Sequence, residues 1–205
     1  MARSIYIASP NAGTGKSTVA LGLIVCLTKV VAKVGVFRPF VDSRDEDPFL
    51  NLLLARSGSA APAAQCIGVT WDEYHAAPEE SLSRIVDAYR AVARDHDVVI
   101  IDGSDFTDVA GTPELDLNAR VAANIGVPVL LVVSGRGAPE DVRASVEVSV
   151  AEIAENHART VAVIANRCPA ATRGAVAAAL SGIEGLTVTT LPEVPLLSAP
   201  SVREI

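Results

Sequence analysis

Aromatic residues make up only 4% of this 205-residue chain, so its core has to be built from aliphatic side chains rather than rings. Positive charge is in deficit: 17 Lys and Arg face 24 Asp and Glu, a formal net charge of -7. That balance excludes a broad attractive field for nucleic-acid phosphates, though not a local basic pocket. Cysteine is also rare. Cys26, Cys66 and Cys168 are widely separated and have no C-x-x-C or Cys/His spacing, which speaks against a disulfide framework or a zinc site. All three are expected as reduced thiols in the core. His75, His96 and His157 have neither metal spacing nor a neighbouring nucleophile, and surface or helix-end positions are expected for them. No apolar run approaches membrane-spanning length, and Met1–Tyr6 leads straight into a strand pattern with no signal-peptide core. A cytoplasmic protein without a membrane partner is expected.

What the chain does have is aliphatic residue: half of it is hydrophobic, with Val, Ala, Leu and Ile dominant. This is the composition of a parallel sheet buried under helices, and 205 residues suit one domain spanning 1–205. Apolar runs of strand length recur at Ser4–Ala8, Val34–Phe37, Val98–Ile101, Val127–Val133, Val161–Ala165 and Leu186–Leu191. Helical periodicity lies between most of them. Val19, Leu23, Leu27 and Val30 share one face of a helix starting near Lys16, and Leu82, Ile85, Val86, Tyr89 and Val92 share a face between Glu79 and Arg94. A third helix is expected from Pro139 towards His157, with Glu140 and Asp141 suiting the positive end of its dipole. Ser57–Ala64 reads as a loop. The expected fold class is α/β, a three-layer doubly wound sheet, mainly parallel and P-loop NTPase-like.

The segment between the first strand and first helix bears the chemistry. Ser9-Pro10-Asn11-Ala12-Gly13-Thr14-Gly15 followed by Lys16-Ser17-Thr18 is a Gly-rich turn in the strand–loop–helix context of a P-loop. Gly13 and Gly15 let the backbone curl so that N–H groups converge, and the helix N-terminus adds partial positive charge. A phosphate cradle from Ser9 to Thr18 follows, with Asn11, Gly13, Thr14, Gly15, Lys16, Ser17 and Thr18 as its nucleotide-binding residues. Lys16 would reach the β/γ-phosphates, Ser17 would offer its hydroxyl to Mg²⁺, and Thr18 would lie on the α-phosphate side. The loop is a variant, because Pro10 stands where the full motif has glycine; a plain connecting turn is the alternative reading.

Other polar residues fall at strand ends, the edge where open α/β sheets bind ligands. Asp102 closes Val98–Ile101 and is the Mg²⁺ candidate beside Ser17, or else a strand-end cap for Gly103 or Ser104. Arg38-Pro39 ends the second strand, where Arg38 either faces a γ-phosphate or other anion or makes a structural salt bridge; Asp42 and Asp47 follow with less weight. Asn166 follows Val161–Ala165 and either reads a purine edge with its paired donor and acceptor or is a turn residue. Asp105, Asp108 and Glu114 read as a solvated loop face. No residue is assigned a catalytic role.

The variant loop, Val36-Phe37-Arg38-Pro39, Ile101-Asp102-Gly103-Ser104-Asp105, Val163-Ile164-Ala165-Asn166-Arg167 and Leu191-Pro192-Glu193-Val194-Pro195 together resemble the dethiobiotin synthetase group. The match is closer still to the N-terminal domain of long, actinobacterial-type phosphate acetyltransferases, through Lys33–Pro39, Gly103–Val109, Ala165-Asn166-Arg167-Cys168 and Pro195–Pro200. This resemblance implies a regulatory and assembly domain binding ATP or another purine nucleotide with Mg²⁺. It also implies that acetyl transfer belongs to a separate C-terminal domain and that the full protein is a homo-oligomer. Ser201-Val202-Arg203-Glu204 has the pattern of a capping box that opens a helix, so the chain is expected to continue past Ile205, a frayed tail being the alternative. A free-standing ATP-dependent ligase like dethiobiotin synthetase, and a vestigial fold acting only in assembly, are the competing readings. Arg38 stands where that ligase group has lysine, and Asn11 where the chromosome-partitioning ATPases have an extra lysine.

Overall fold

Seven parallel strands organise the computed structural model, which describes residues 2–45, 47–104 and 114–195. They are β1 (Arg3–Ala8), β2 (Val34–Val41), β3 (Ile67–Thr70), β4 (Val98–Asp102), β5 (Val129–Ser134), β6 (Thr160–Cys168) and β7 (Thr187–Pro192), in the spatial order β3-β2-β4-β1-β5-β6-β7. Between them run α1 (Lys16–Leu27), α2 (Pro48–Ser57), α3 (Trp71–Ala76), α4 (Pro78–Asp95), α5 (Glu114–Ile125), α6 (Pro139–Glu155) and α7 (Arg173–Leu180). Parallel crossovers are right-handed. The connections β1 to β2 to β3 therefore place α1 and α2 on one face, in mutual contact, and the connections running the other way place α4 to α7 on the opposite face, each touching the next.

Burial explains the composition. β4 and β5 lie under helices on both faces, which is why they read as unbroken apolar runs, with Val99–Ile101 and Val129–Val133 buried. At the edge, β7 alternates: Thr187 and Thr189 are exposed while Val188 and Thr190 are half-buried. The chain leaves β1 towards β2 and leaves β5 towards β6, so the loops after these neighbouring strands diverge and open a crevice at their carboxyl ends.

Several expectations are corrected. The helix α1 stops at Leu27, Thr28 being its C-cap, so Val30 is 80% exposed rather than on a buried face. Cys26 is exposed on that helix, because α1 is apolar on nearly every side and cannot bury them all; Cys66 and Cys168 are buried as expected. Burial pushes the Cys66 thiol up to about 11. The strand β2 runs on to Val41, which puts Arg38-Pro39 inside it, and β6 runs to Cys168, which puts Asn166-Arg167 inside it. Both extensions are polar or Pro-containing, and apolar periodicity does not see them. Glu114 opens α5 rather than lying in a loop, and Ser57 ends α2. His96 caps the end of α4 and His157 is exposed beyond α6, as expected. Asp105, Asp108, the stretches 105–109 and 196–200 used in the resemblance, and the capping-box sequence Ser201–Glu204 lie outside the described residues.

Candidate functional site

The loop between β1 and α1 turns on two glycines in the left-handed region, Gly13 at φ 73 and Gly15 at φ 81, where a Cβ would strain the backbone. Gly15 is the N-cap of α1, which has no side-chain cap and no acidic residue in its first turn. That helix end is thus left electrostatically open to an anion. Ser9 is fully buried and its hydroxyl donates to Asn11 O at 3.1 Å, tightening the start of the loop around Pro10. Thr14 is buried with its Oγ1 unpartnered by any hydrogen bond, while Asn11 and Thr18 are exposed and Ser17 is half-buried.

Beneath the loop, charge is buried. Lys16 is 1% exposed, and its Nζ donates to Asp102 Oδ1 at 2.7 Å and to Gly103 O at 2.5 Å. Asp102, wholly buried at the end of β4, keeps its Oδ2 without a hydrogen-bond partner; the Arg38 Nε stands 3.4 Å from it. Arg38 in turn donates from Nη1 to Asp47 Oδ2 at 2.5 Å, and Asp47 Oδ1 accepts from Leu50 N at 2.8 Å, capping α2. Strand order makes this cluster: β2 lies beside β4 with Phe37 opposite Ile101, so the next residues on each strand, Arg38 and Asp102, come level. Arg38 therefore makes a structural ion pair within reach of the site, and Asp102 is a partner of Lys16 rather than a cap for Gly103 or Ser104.

The loop after β4 is fitted closely. A Cβ on Gly103 would lie 2.5 Å from Asn118 Oδ1 and 2.7 Å from Ile7 O, so only glycine lets the chain cross here. Asn118 Oδ1 accepts from Ser104 N at 2.9 Å and from the Tyr6 hydroxyl at 2.7 Å. Burial, with the nearby Asp102 and Glu114 carboxylates, holds the Tyr6 phenol well above its usual range, so it remains a donor. Neither Tyr6 nor Asn118 had a signal in the sequence; Asp47 did, as an Asp directly before a Pro at the first turn of a helix.

On the other side, β6 supplies a wall. Asn166 Nδ2 donates to Thr14 O at 2.8 Å, and Arg167 Nη1 donates to Gly13 O at 2.5 Å. One of the two Nδ2 hydrogens of Asn166 is thereby committed to the loop. Gly135, after β5, donates its N–H to Asn166 O at 2.6 Å and joins the β5 and β6 ends.

A hard divalent cation takes oxygen ligands and, with phosphates, keeps several waters. The Oδ2 of buried Asp102, which makes no hydrogen bond, and the hydroxyl of Ser17 in the first turn of α1 are oxygens of that kind. Among the described residues no group of three or more His, Cys, Asp or Glu side chains gathers to hold a metal, so the rest of its shell would come from phosphate and water. No helix among the described residues is long and apolar enough to cross a membrane.

A parallel sheet with a glycine-turned β1–α1 loop, a buried lysine beneath it and a carboxylate at the neighbouring strand end is a fold of the P-loop NTPase type. A solved plasmid partition protein from Borrelia burgdorferi bound to AMPPNP shares this fold, with a TM-score of 0.63 and 15% identity over 97% of this chain and 88% of that one. A family profile described as AAA domain matches residues 3–201, and the chain belongs to that family. It is also similar, along its whole length, to the phosphate acetyltransferases of Nitratidesulfovibrio vulgaris (27% identical over 230 residues) and Synechocystis (25% over 217 residues). The chain spans 31% of the length of each of these relatives.

Proposed function

We propose that this domain binds a purine nucleotide, ATP or ADP, with Mg²⁺ in the β1–α1 loop. In this reading it serves as the regulatory part of a longer, homo-oligomeric cytoplasmic phosphate acetyltransferase. Acetyl transfer from acetyl-CoA to phosphate would belong to another part of that protein. The observation that supports this best is the buried Lys16–Asp102 pair directly under an anion-ready helix end, with one carboxylate oxygen that makes no hydrogen bond. Burying such a pair costs more than an apolar pair of the same volume, and the position at a strand's carboxyl end gives it a use.

The residues divide the work as follows. Lys16 donates to the Asp102 carboxylate and to Gly103 O. A polyphosphate in the loop competes for the ammonium, drawing Nζ from the carboxylate towards the β/γ oxygens and leaving Asp102 to accept from water beside Ser17. Bound Mg²⁺ would supply further charge neutralisation at those oxygens. The loop amides and the α1 N-terminus orient the phosphates. Arg38, held by Asp47, steadies Asp102 from its other side. A guanidinium stays charged throughout, which disfavours the carbamate-holding chemistry of a dethiobiotin-synthetase-like ligase at position 38.

Calorimetric titration with ATP and ADP, with and without Mg²⁺, tests the site. Binding by the native protein and its loss in Lys16→Ala are expected, and equal affinity in the two proteins would refute the assignment. The regulatory half is tested in the full-length enzyme: its acetyl-transfer rate should respond to ATP in the native protein and not in Lys16→Ala. A rate indifferent to nucleotide in both would end that half alone.

A further inference from the structure

We infer that Arg167 is a positioning residue that, with Asn166, holds the phosphate-binding loop in its binding shape before any ligand arrives. The inference rests on the nucleotide reading for its purpose, but its geometry is independent of it. In a planar trans peptide the C=O and the following N–H point in opposite directions. Arg167 takes the carbonyl of Gly13 and Asn166 takes the carbonyl of Thr14. The N–H groups of Thr14 and Gly15 are therefore turned away from β6, side by side, towards the concave side of the loop. Consecutive N–H groups aligned in this way make an anion-binding nest.

Three features show that the strand is shaped for this task. The pairing of β6 with β7 shifts register between Ala165 and Cys168, an irregularity that re-aims the side chains between them. Arg167 has φ 59, one of only two non-glycine residues with positive φ among the described residues, in a conformation that disfavours any side chain with a Cβ. And Gly15 leaves room for the contact, since a Cβ there would lie 2.5 Å from Asn166 Nδ2. Glycine at position 167 would suit the backbone better than arginine does, so the guanidinium is what the position keeps.

Arg167→Gly separates the two effects. In the nucleotide-free protein, amide hydrogen exchange at Thr14 and Gly15, followed by NMR, should quicken in the variant, while its melting temperature stays at or above that of the native protein. Affinity for ADP and for ATP should each fall about tenfold, by the same factor, because a preorganised backbone is lost and not a contact with one phosphate. Arg167→Lys, which keeps a donor of similar reach, should recover part of the affinity. Unchanged exchange at both amides would overturn the inference, and so would a loss several-fold greater for ATP than for ADP, which would make Arg167 a direct phosphate ligand. Should the native protein bind neither nucleotide, the proposed function fails, and the exchange comparison still decides whether Arg167 orders the loop.

Discussion

The floor of the site and its wall use charge in opposite ways. On the floor, Lys16, Asp102, Arg38 and Asp47 alternate in sign from a fully buried pair to a partly exposed one, each neutralising the next. On the wall, the half-buried Asn166 and Arg167 each donate to a neutral backbone carbonyl of the loop. A buried ion pair is costly to break from one side, whereas a side chain bonded to a surface loop can be removed with little global damage. Binding and stability should therefore be tied together on the floor and separable on the wall.

The largest effect expected is that of Lys16→Ala. It removes the cation under the phosphates and leaves Asp102 buried with less compensation, so ATP affinity should fall about 100-fold and stability by about 3 kcal/mol, read by calorimetry and thermal melting. A lost affinity with an unchanged melt would break the comparison. Next comes Asp102→Asn: the affinities measured with and without Mg²⁺ should converge, with a loss of about tenfold in Mg²⁺, and the melt should fall as Lys16 loses its partner. Retained Mg²⁺ dependence would move the metal role elsewhere.

Gly103→Ala sharpens the boundary between charge and shape, because it alters no charge. Its Cβ must displace backbone at Ile7 or the Asn118 amide, and about 2 kcal/mol of stability should be lost, seen in a denaturant midpoint. The smallest effect lies far from both regions. The Arg84 hydrogen bond, with those of the Thr70 N–H and Arg44, outweighs partial burial and lowers the Glu73 carboxyl from 4.5 to about 2. Its contribution is complete above pH 4.5 and lost as pH falls through 2. Glu73→Gln should thus melt slightly below the native protein at pH 7, by at most ~2 °C, and the gap should close towards pH 2. Nucleotide affinity at pH 7 should not change.

Much of this molecule is legible residue by residue. The core strands β4 and β5 are unbroken aliphatic runs, and α4 shows its buried stripe of Leu82, Ile85, Tyr89 and Val92 as helical spacing. The parts that escape are short or polar. The strand β3 has four residues, too few for a period, and α5 opens with Glu-Leu-Asp, which resembles a solvated loop until Leu115 and Leu117 are seen packed inward. Cys26 misleads for the opposite reason: its neighbours are apolar, and apolar neighbours do not say which side of a helix meets the sheet.

Local order along one stretch of chain determined the loop. Two glycines, a lysine and the helix that follows are contiguous, so their spacing alone marks where the chain turns from strand into helix. The aliphatic run ending in Asp102 likewise announces a carboxylate at a strand end. Tertiary structure alone decided the partners. Asn166 and Arg167 meet Thr14 and Gly13 across separations of 152 and 154 residues, and Arg38 meets Asp102 because β2 lies beside β4. A side chain's reach is a few ångströms, and which residues fall within it is settled by strand order and register, which no local pattern contains.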